Sequence, residues 1–240
     1  MMQPHLNLKS ARESLPRWDG PLSHPFYSRY VKRVLDFLLA LVLIIPCGIV
    51  MIPIAIAVKA TSEGPVFYTA LRGGYHNRPF NILKFRTMVV GADKFSSTTA
   101  LNDPRITPIG RVLRYTKLDE LPQLFNIIKG DMSFIGPRPE LLRYTDQYTE
   151  SQQCILWVRP GISDPSSIKL ISLDELVGHD DPEGTYETRI LGEKNRMRVE
   201  YAMSQSFGLD ARVFFHTLST LFQKIVRSFF RNTRRQGAGK

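Results

Sequence analysis

The stretch FLLALVLIIPCGIVMIPIAIAV, Phe37 to Val58, bears most directly on the fold. Its 22 residues carry no charge and, wound as a helix, are enough to reach across a hydrocarbon core about 30 Å thick. The run starts too far into the chain and is too long for the apolar region of a signal peptide, and it lacks a small-residue cleavage site. The alternative is a buried core helix in a soluble protein. Whether the segment crosses a bilayer is read from its flanks. Arg29, Lys32 and Arg33 precede it and Lys59, Arg72 and Arg78 follow, so the cationic asymmetry that orients a true span is nearly absent. Pro46 lies near the middle, followed by Gly48 and Pro53. A proline there removes a backbone hydrogen bond and bends the helix. A bent helix with cations at both ends could enter and leave the same leaflet, but true spans also contain prolines, so these residues lean towards a re-entrant helix and leave a span open. Asp36, at its polar edge, is expected to pair with Lys32 or Arg33 at helical spacing.

Outside that run the chain reads as globular. Its 240 residues hold one sizeable domain or two small ones, and 43% hydrophobic content excludes both a disordered chain and a many-span membrane protein. A formal charge of +10 selects polyanionic partners: nucleic acid, anionic lipid or phosphorylated small molecules. Cys47 and Cys154 do not suggest a disulfide framework, and the five histidines show no metal-ligand spacing. The β-branched and aromatic stretches Gly64–Leu71 and Arg78–Met88, either side of RGGYHN, predict a hairpin. A polar loop follows over Asp93–Gly110, then helical patterns that Gly130 should stop, a polar segment over Asp164–Glu183 and a helix over Thr188–Ser206. Near the C-terminus Leu218, Leu221, Phe222, Ile225 and Phe229 recur at helical spacing, with Lys224, Arg227 and Arg231 on other faces. Such a helix either lies in the membrane interface or packs on the domain with a solvated basic tail. The fold class expected is α+β and mostly helical: a compact domain with a small β-hairpin, a re-entrant membrane helix and amphipathic interfacial helices.

The stretch TKLDELPQLFNIIKGDMSFIGPRPE, Thr116 to Glu140, carries the chemistry. Pro122 costs no intrahelical bond only within the first turn, which puts the helix N-cap between Leu118 and Leu121 and Asp119 and Glu120 at the helix N-terminus. Carboxylates are favoured there by the helix dipole, and the same end also receives phosphate. Two carboxylates repel a phosphate unless a divalent cation or arginines intervene. Arg111, Arg114, Arg138, Lys84 and Arg86 are the cations available. The pattern alone leaves phosphate handling and simple capping both open.

The stretches KRVLDFLLAL, GPVFY, KFRTM, DPRITPIGRVLRYTKLDELPQLFNIIKGDMSFIGPRPE and VRPGIS, in this order, resemble the bacterial sugar transferase family, the monotopic phosphoglycosyl transferases. The likeness runs from Tyr30 to about Ile225. It implies transfer of a phosphosugar from a UDP-sugar to a polyprenyl (undecaprenyl) phosphate, with release of UMP, as the first membrane-committed step of lipid-linked glycan assembly. By position it makes Asp119 the nucleophile that forms a phosphosugar-aspartyl intermediate. Glu120 becomes its partner carboxylate, with Mg²⁺ held by Glu120 and Asp119. Arg114 and Arg138 become phosphate-binding arginines; Lys84, Arg86, Asp131 and Arg159 also fall on family motifs, as substrate contacts or structural ion pairs. The two prolines around Arg138 restrict its backbone, so less freedom is lost when it grips an anion.

The resemblance implies four segments: a tail over 1–30, the re-entrant helix over 31–59, the catalytic domain over 60–205, and an amphipathic helix with a basic tail over 206–240. It also implies the cytoplasmic face of the bacterial inner membrane, anionic lipids as neighbours, no nucleic-acid partner, and a homodimer as an admissible assembly. Three departures stand out. Ile45 precedes Pro46 where many members have serine, Ala70 replaces a frequent glutamine, and GISDPSSIKL stands where many relatives carry GITGWAQV. The rivals are a transferase with another lipid acceptor, and a basic membrane-anchored scaffold or nucleic-acid binder without catalysis.

Overall fold

A computed structural model describes residues 22, 24–92, 103–170 and 181–237, with side chains up to residue 224. A turn of π-helix, Tyr27–Val31, leads into α1, Lys32–Thr61, whose 30 residues run through Pro46 and Pro53 as one element. It is long and apolar enough to cross a membrane by length and composition. Its residues divide sharply by face. Ala40, Ile44, Cys47, Met51, Ala55 and Val58 recur every three or four positions, and this stripe packs on the rest of the chain. Leu38, Val42, Ile45, Ile49, Ile52 and Ile56 are exposed along the other faces.

The stripe is contacted along its length, buried at Ala40, Met51 and Val58 and half-buried at Ile44, Cys47 and Ala55. Its first half meets Phe80, Ile82, Leu124, Ile127 and Met132, and its second half meets Phe85 and Leu113. Each fully buried side chain of this size contributes about 1.5–3 kcal/mol. The start of α1 is tied down by polar contacts as well. Lys32 Nζ lies 2.6 Å from Asp210 Oδ2, which also accepts from the Tyr27 hydroxyl at 2.7 Å. Asp36 accepts from the Phe134 N–H at 3.2 Å and sits 4.0 Å from Lys32, the pairing expected from the spacing. Arg33 turns elsewhere and donates to the carbonyls of Ile127 and Ile128.

The expected hairpin is β1, Phe67–Gly73, antiparallel to β2, Pro79–Phe85, with Tyr68 opposite Lys84 and Arg72 opposite Phe80. Its turn places His76 and Asn77 at positive φ, 56° and 52°. Residues 93–102 of the predicted polar loop lie outside the described residues. Helix α2, Pro108–Thr116, starts where the Thr107 hydroxyl accepts from the Gly110 N–H and Pro108 takes the first turn. Lys117 adopts a left-handed φ of 60° and ends it. The chain then makes one 3₁₀ turn, Leu118–Glu120, before α3, Gln123–Lys129, which Gly130 closes at φ 98° as the sequence predicted.

This corrects one expectation. The N-cap of α3 is Pro122, not a residue between Leu118 and Leu121, so Asp119 and Glu120 sit on the 3₁₀ turn before the helix. The cause is Lys117: its left-handed backbone breaks the helical run and restarts it with tighter bonds, Leu121 N–H to Leu118 and Leu124 N–H to Leu121.

Two three-residue strands, β3, Ser133–Ile135, and β4, Gly161–Ser163, pair in parallel, a ladder too short to show as a sequence period. At its edge a Cβ on Gly161 would strike the Gly136 backbone, and one on Gly136 would strike the Arg159 carbonyl. The Gly161 N–H donates to the Pro137 carbonyl at 3.1 Å, which pins the segment carrying Arg138.

The remaining α-helices among the described residues are α4, Leu142–Thr145, α5, Pro165–Lys169, α6, Pro182–Thr185, α7, Leu191–Ser204, and α8, Phe207–Gly237. The predicted polar segment therefore holds two short helices, with residues 171–180 outside the described part. Helix α8 packs on the domain near its start, while the side chains of Arg227 and Arg231 lie outside the described residues. Val213 is buried against Ile135 and Tyr201, while Phe207, Phe215, Leu218 and Phe222 are exposed.

Candidate active site

Asp119 and Glu120 are both 7% exposed, unusual for adjacent carboxylates. Their environments differ completely. Glu120 is fully compensated: Lys84 Nζ donates to Oε1 at 3.2 Å, Arg138 Nη1 to Oε2 at 3.1 Å, and Arg138 Nη2 to Oε1. Burial alone would raise its carboxyl, but Arg138 and Lys84 outweigh that and hold it far below the usual carboxylate range. Asp119 has a buried Oδ1 with no hydrogen-bond partner. Burial pushes its carboxyl above the ordinary aspartate value; Lys84 opposes the shift and Glu120 adds to it. One turn on, Gln123 is fully buried with both ends of its amide unpartnered. Unsatisfied buried polar groups are rare enough that this cluster marks where a further polar group completes the site.

Arg138 is held from three directions. Its guanidinium forks onto Glu120 and donates to the Ile162 carbonyl at 2.9 Å, and its backbone N–H donates to Asp164 Oδ2 at 3.1 Å. Asp164 caps α5 through the Ser167 N–H and lies 3.5 Å from Arg198 Nε, both side chains being fully buried. Arg198 also donates to Glu140 at 2.9 Å, as do Lys194 at 3.1 Å and the Tyr186 hydroxyl. Burial would raise Glu140, yet Lys194 and Arg198 hold it well below the usual range. Burial pushes Lys194 down to about 8 despite its carboxylate partner. Removing one partner from such a buried set costs about 3–5 kcal/mol.

The structure brings Lys84, Asp119, Glu120 and Arg138 together, and places the other candidates elsewhere. Arg86 is 5% exposed and donates to the carbonyls of Ser62 and Glu63 beyond the end of α1. Arg114 sits in the last turn of α2, within electrostatic reach of Asp103. Asp131 meets Lys129 at 3.5 Å, and Arg159 donates to the Gly130 carbonyl and lies 5.1 Å over the Tyr75 ring. The buried set of Glu140, Asp164, Lys194 and Arg198 went unread in the sequence. Its signals were faint: a glutamate directly after GPRP, and Lys194 and Arg198 one turn apart on a predicted helix.

The sequence model of the bacterial sugar transferase family matches residues 27–224, a range holding α1, the hairpin, the carboxylate pair and the Arg138 segment. The chain belongs to the bacterial sugar transferase family. It is 39% identical over 153 residues to the UDP-glucose:undecaprenyl-phosphate glucose-1-phosphate transferase of Escherichia coli (strain K12), covering 62% of this chain and 32% of that protein. It is 35% identical over 204 residues to the UDP-N-acetylgalactosamine-undecaprenyl-phosphate N-acetylgalactosaminephosphotransferase of Aeromonas hydrophila, covering 83% of this chain and 45% of the other. A UDP-glucose:undecaprenyl-phosphate glucose-1-phosphate transferase of Caulobacter vibrioides is 31% identical over 194 residues, with 79% and 69% covered. The chain thus spans less than half the length of the first two relatives.

Proposed function

We propose that this chain is a phosphoglycosyl transferase that moves a phosphosugar from a UDP-sugar onto a polyprenyl phosphate in two displacements through Asp119. The observation that supports it most is the contrast between the two carboxylates. Glu120 is neutralised by Lys84 and Arg138, while Asp119 keeps an unpartnered, desolvated oxygen beside them. A carboxylate stripped of water and hydrogen bonds is a better nucleophile, and the adjacent cations compensate the phosphate it must approach. In the first step an Asp119 oxygen bonds to the sugar-bearing phosphorus, and the bond to the bridging oxygen breaks, with UMP taking the electron pair. In the second, an oxygen of the carrier phosphate attacks the same phosphorus and the Asp119 carboxylate leaves. Lys84 and Arg138 hold charge on the phosphoryl group throughout.

The residues fit a magnesium ion. Among the described residues no group of three or more His, Cys, Asp or Glu side chains converges, but Mg²⁺ is commonly bound by one or two carboxylates plus substrate phosphates. Asp119, with its unpartnered oxygen, and Glu120 would hold it, and it would neutralise charge on the donor's phosphates.

The test is rapid quenching with a UDP-sugar in the absence of carrier lipid. A phosphosugar mass should accumulate on the peptide containing Asp119, because slow hydrolysis is the only discharge. Its rate should fall as pH drops through a value above the ordinary aspartate range, since protonation removes the attacking charge and burial raises that carboxyl. UMP formed only when lipid is added, with no adduct, would favour direct transfer in a ternary complex.

The placement proposed is monotopic, on the cytoplasmic face of the inner membrane, where lipid-linked glycan assembly would begin. A polar domain covers the α1 stripe from Ala40 to Val58, so standing α1 across a bilayer would carry that domain into the hydrocarbon. Cysteines replacing the exposed His24 and Glu150, in a background without Cys47 and Cys154, should both resist a membrane-impermeant thiol reagent in intact cells. Labelling at position 24 alone would establish a span.

A further inference from the structure

Arg72 has no place in the mechanism above, yet it faces the same region. In the antiparallel register Tyr68 lies opposite Lys84 and Arg72 opposite Phe80, so Tyr68, Arg72 and Lys84 share one face of the hairpin. The next residue, Gly73, donates its N–H to the Glu140 carbonyl at 3.0 Å, which fastens this end of β1 to the segment carrying Arg138. The charged and phenolic groups within electrostatic reach of Arg72 are Glu140, Tyr68, Arg138 and Tyr186, and Arg138 is also within reach of Lys84. Arg72, Arg138 and Lys84 therefore form a chain of cations leading away from the carboxylate pair.

Their partners are not equal. Lys84 and Arg138 bind Glu120, Lys194 binds Glu140, and Arg198 binds Glu140 and Asp164. Arg72 is the exception. Its hydrogen bond is to the carbonyl of its own neighbour Leu71 at 3.1 Å, and no carboxylate among the described residues pairs with it. A half-buried guanidinium within electrostatic reach of a second arginine, with no carboxylate among the described residues paired to it, is arranged to receive an anion. Tyr68 stands four residues from Arg72 along the strand, about 13 Å at roughly 3.3 Å per residue. Arg72 therefore sits at the far end of the hairpin from Lys84, and a diphosphate whose reacting phosphorus meets Asp119 would find in Arg72 the next cation without a carboxylate.

Resting on the function proposed above, we infer that Arg72 binds the nucleotide-side phosphate of the donor, the one that leaves as UMP, while Lys84 and Arg138 face the phosphate that reacts. The experiment is calorimetric titration of the detergent-solubilised full chain with UMP, alongside steady-state kinetics with a UDP-sugar. Arg72→Gln should weaken UMP about tenfold or more, the loss expected for a charge-assisted hydrogen bond. The KM for the donor should rise in parallel while kcat changes less. Arg72→Lys, which keeps the charge and loses the fork, should fall between. Native unfolding midpoints accompany each variant; if Arg72→Gln does not fold, Arg72→Lys decides. Unchanged UMP affinity in a folded variant, or a lowered midpoint with intact UMP binding, would overturn the inference and make Arg72 a counter-charge to Glu140. Failure of the wild-type chain to bind UMP at all would overturn the proposed function and this inference with it.

Discussion

Asp119→Asn should reduce both UMP release and sugar transfer to background. The amide keeps the size and burial of the side chain but cannot form the bond to phosphorus, so both half-reactions fail together. Because Asp119 Oδ1 has no hydrogen-bond partner, the substitution breaks no contact at that atom and the fold should survive. Glu120→Gln is a different experiment. It leaves Asp119 in place but removes the charge that Lys84 and Arg138 are arranged around, stranding two half-buried cations beside the substrate. A loss of about 10²- to 10³-fold in kcat is expected, comparable to removing one preorganised electrostatic contact, and sensitive to Mg²⁺ concentration. Single-turnover assays for UMP and for lipid product separate the two variants. Equal, complete inactivity of both would remove the distinction drawn between them, and a phosphosugar adduct on Glu120 would reverse the roles given to the pair.

Arg138→Lys should cost about 100-fold in activity although the charge is retained. The guanidinium makes two bonds to Glu120 and one to the Ile162 carbonyl, a fork that a single ammonium cannot reproduce. The backbone contact to Asp164 is untouched by the change, so the segment should stay pinned and membrane association should stay normal. Activity assays with a membrane-flotation control measure both. A silent substitution would reduce Arg138 to a structural residue.

The elements that the sequence foretold are those with a strong local cause. The uncharged run from Phe37 to Val58 became α1, the β-branched stretches around RGGYHN became the hairpin, and Gly130 stopped its helix. The error at the carboxylate pair has an equally local cause. A left-handed lysine cannot be foreseen from its type, and Lys117 shifted the start of α3 past Asp119 and Glu120. What stayed hidden were relations between distant parts. Nothing in GPRPE announces that Glu140 will meet Lys194 and Arg198 more than fifty residues on, or that Asp164 will grip the backbone of Arg138. Likewise Arg86, which shares the KFRTM motif with Lys84, has its side chain beyond the end of α1, whereas Lys84 reaches Glu120.

The packed stripe on α1 means that the long apolar helix and the globule are one object. Ile127 and Met132 are completely shielded in a cluster that α1 helps to close, and Val58, on α1 itself, is equally shielded. Cutting the helix away would not release an intact globule; it would open the middle of one. The same joint acts as a spacer of fixed length. Under the placement and mechanism proposed above, it would set Lys84 and the two carboxylates at one height above the lipid, and a carrier phosphate held at the membrane surface would meet Asp119 at a constant depth, however long its hydrocarbon tail.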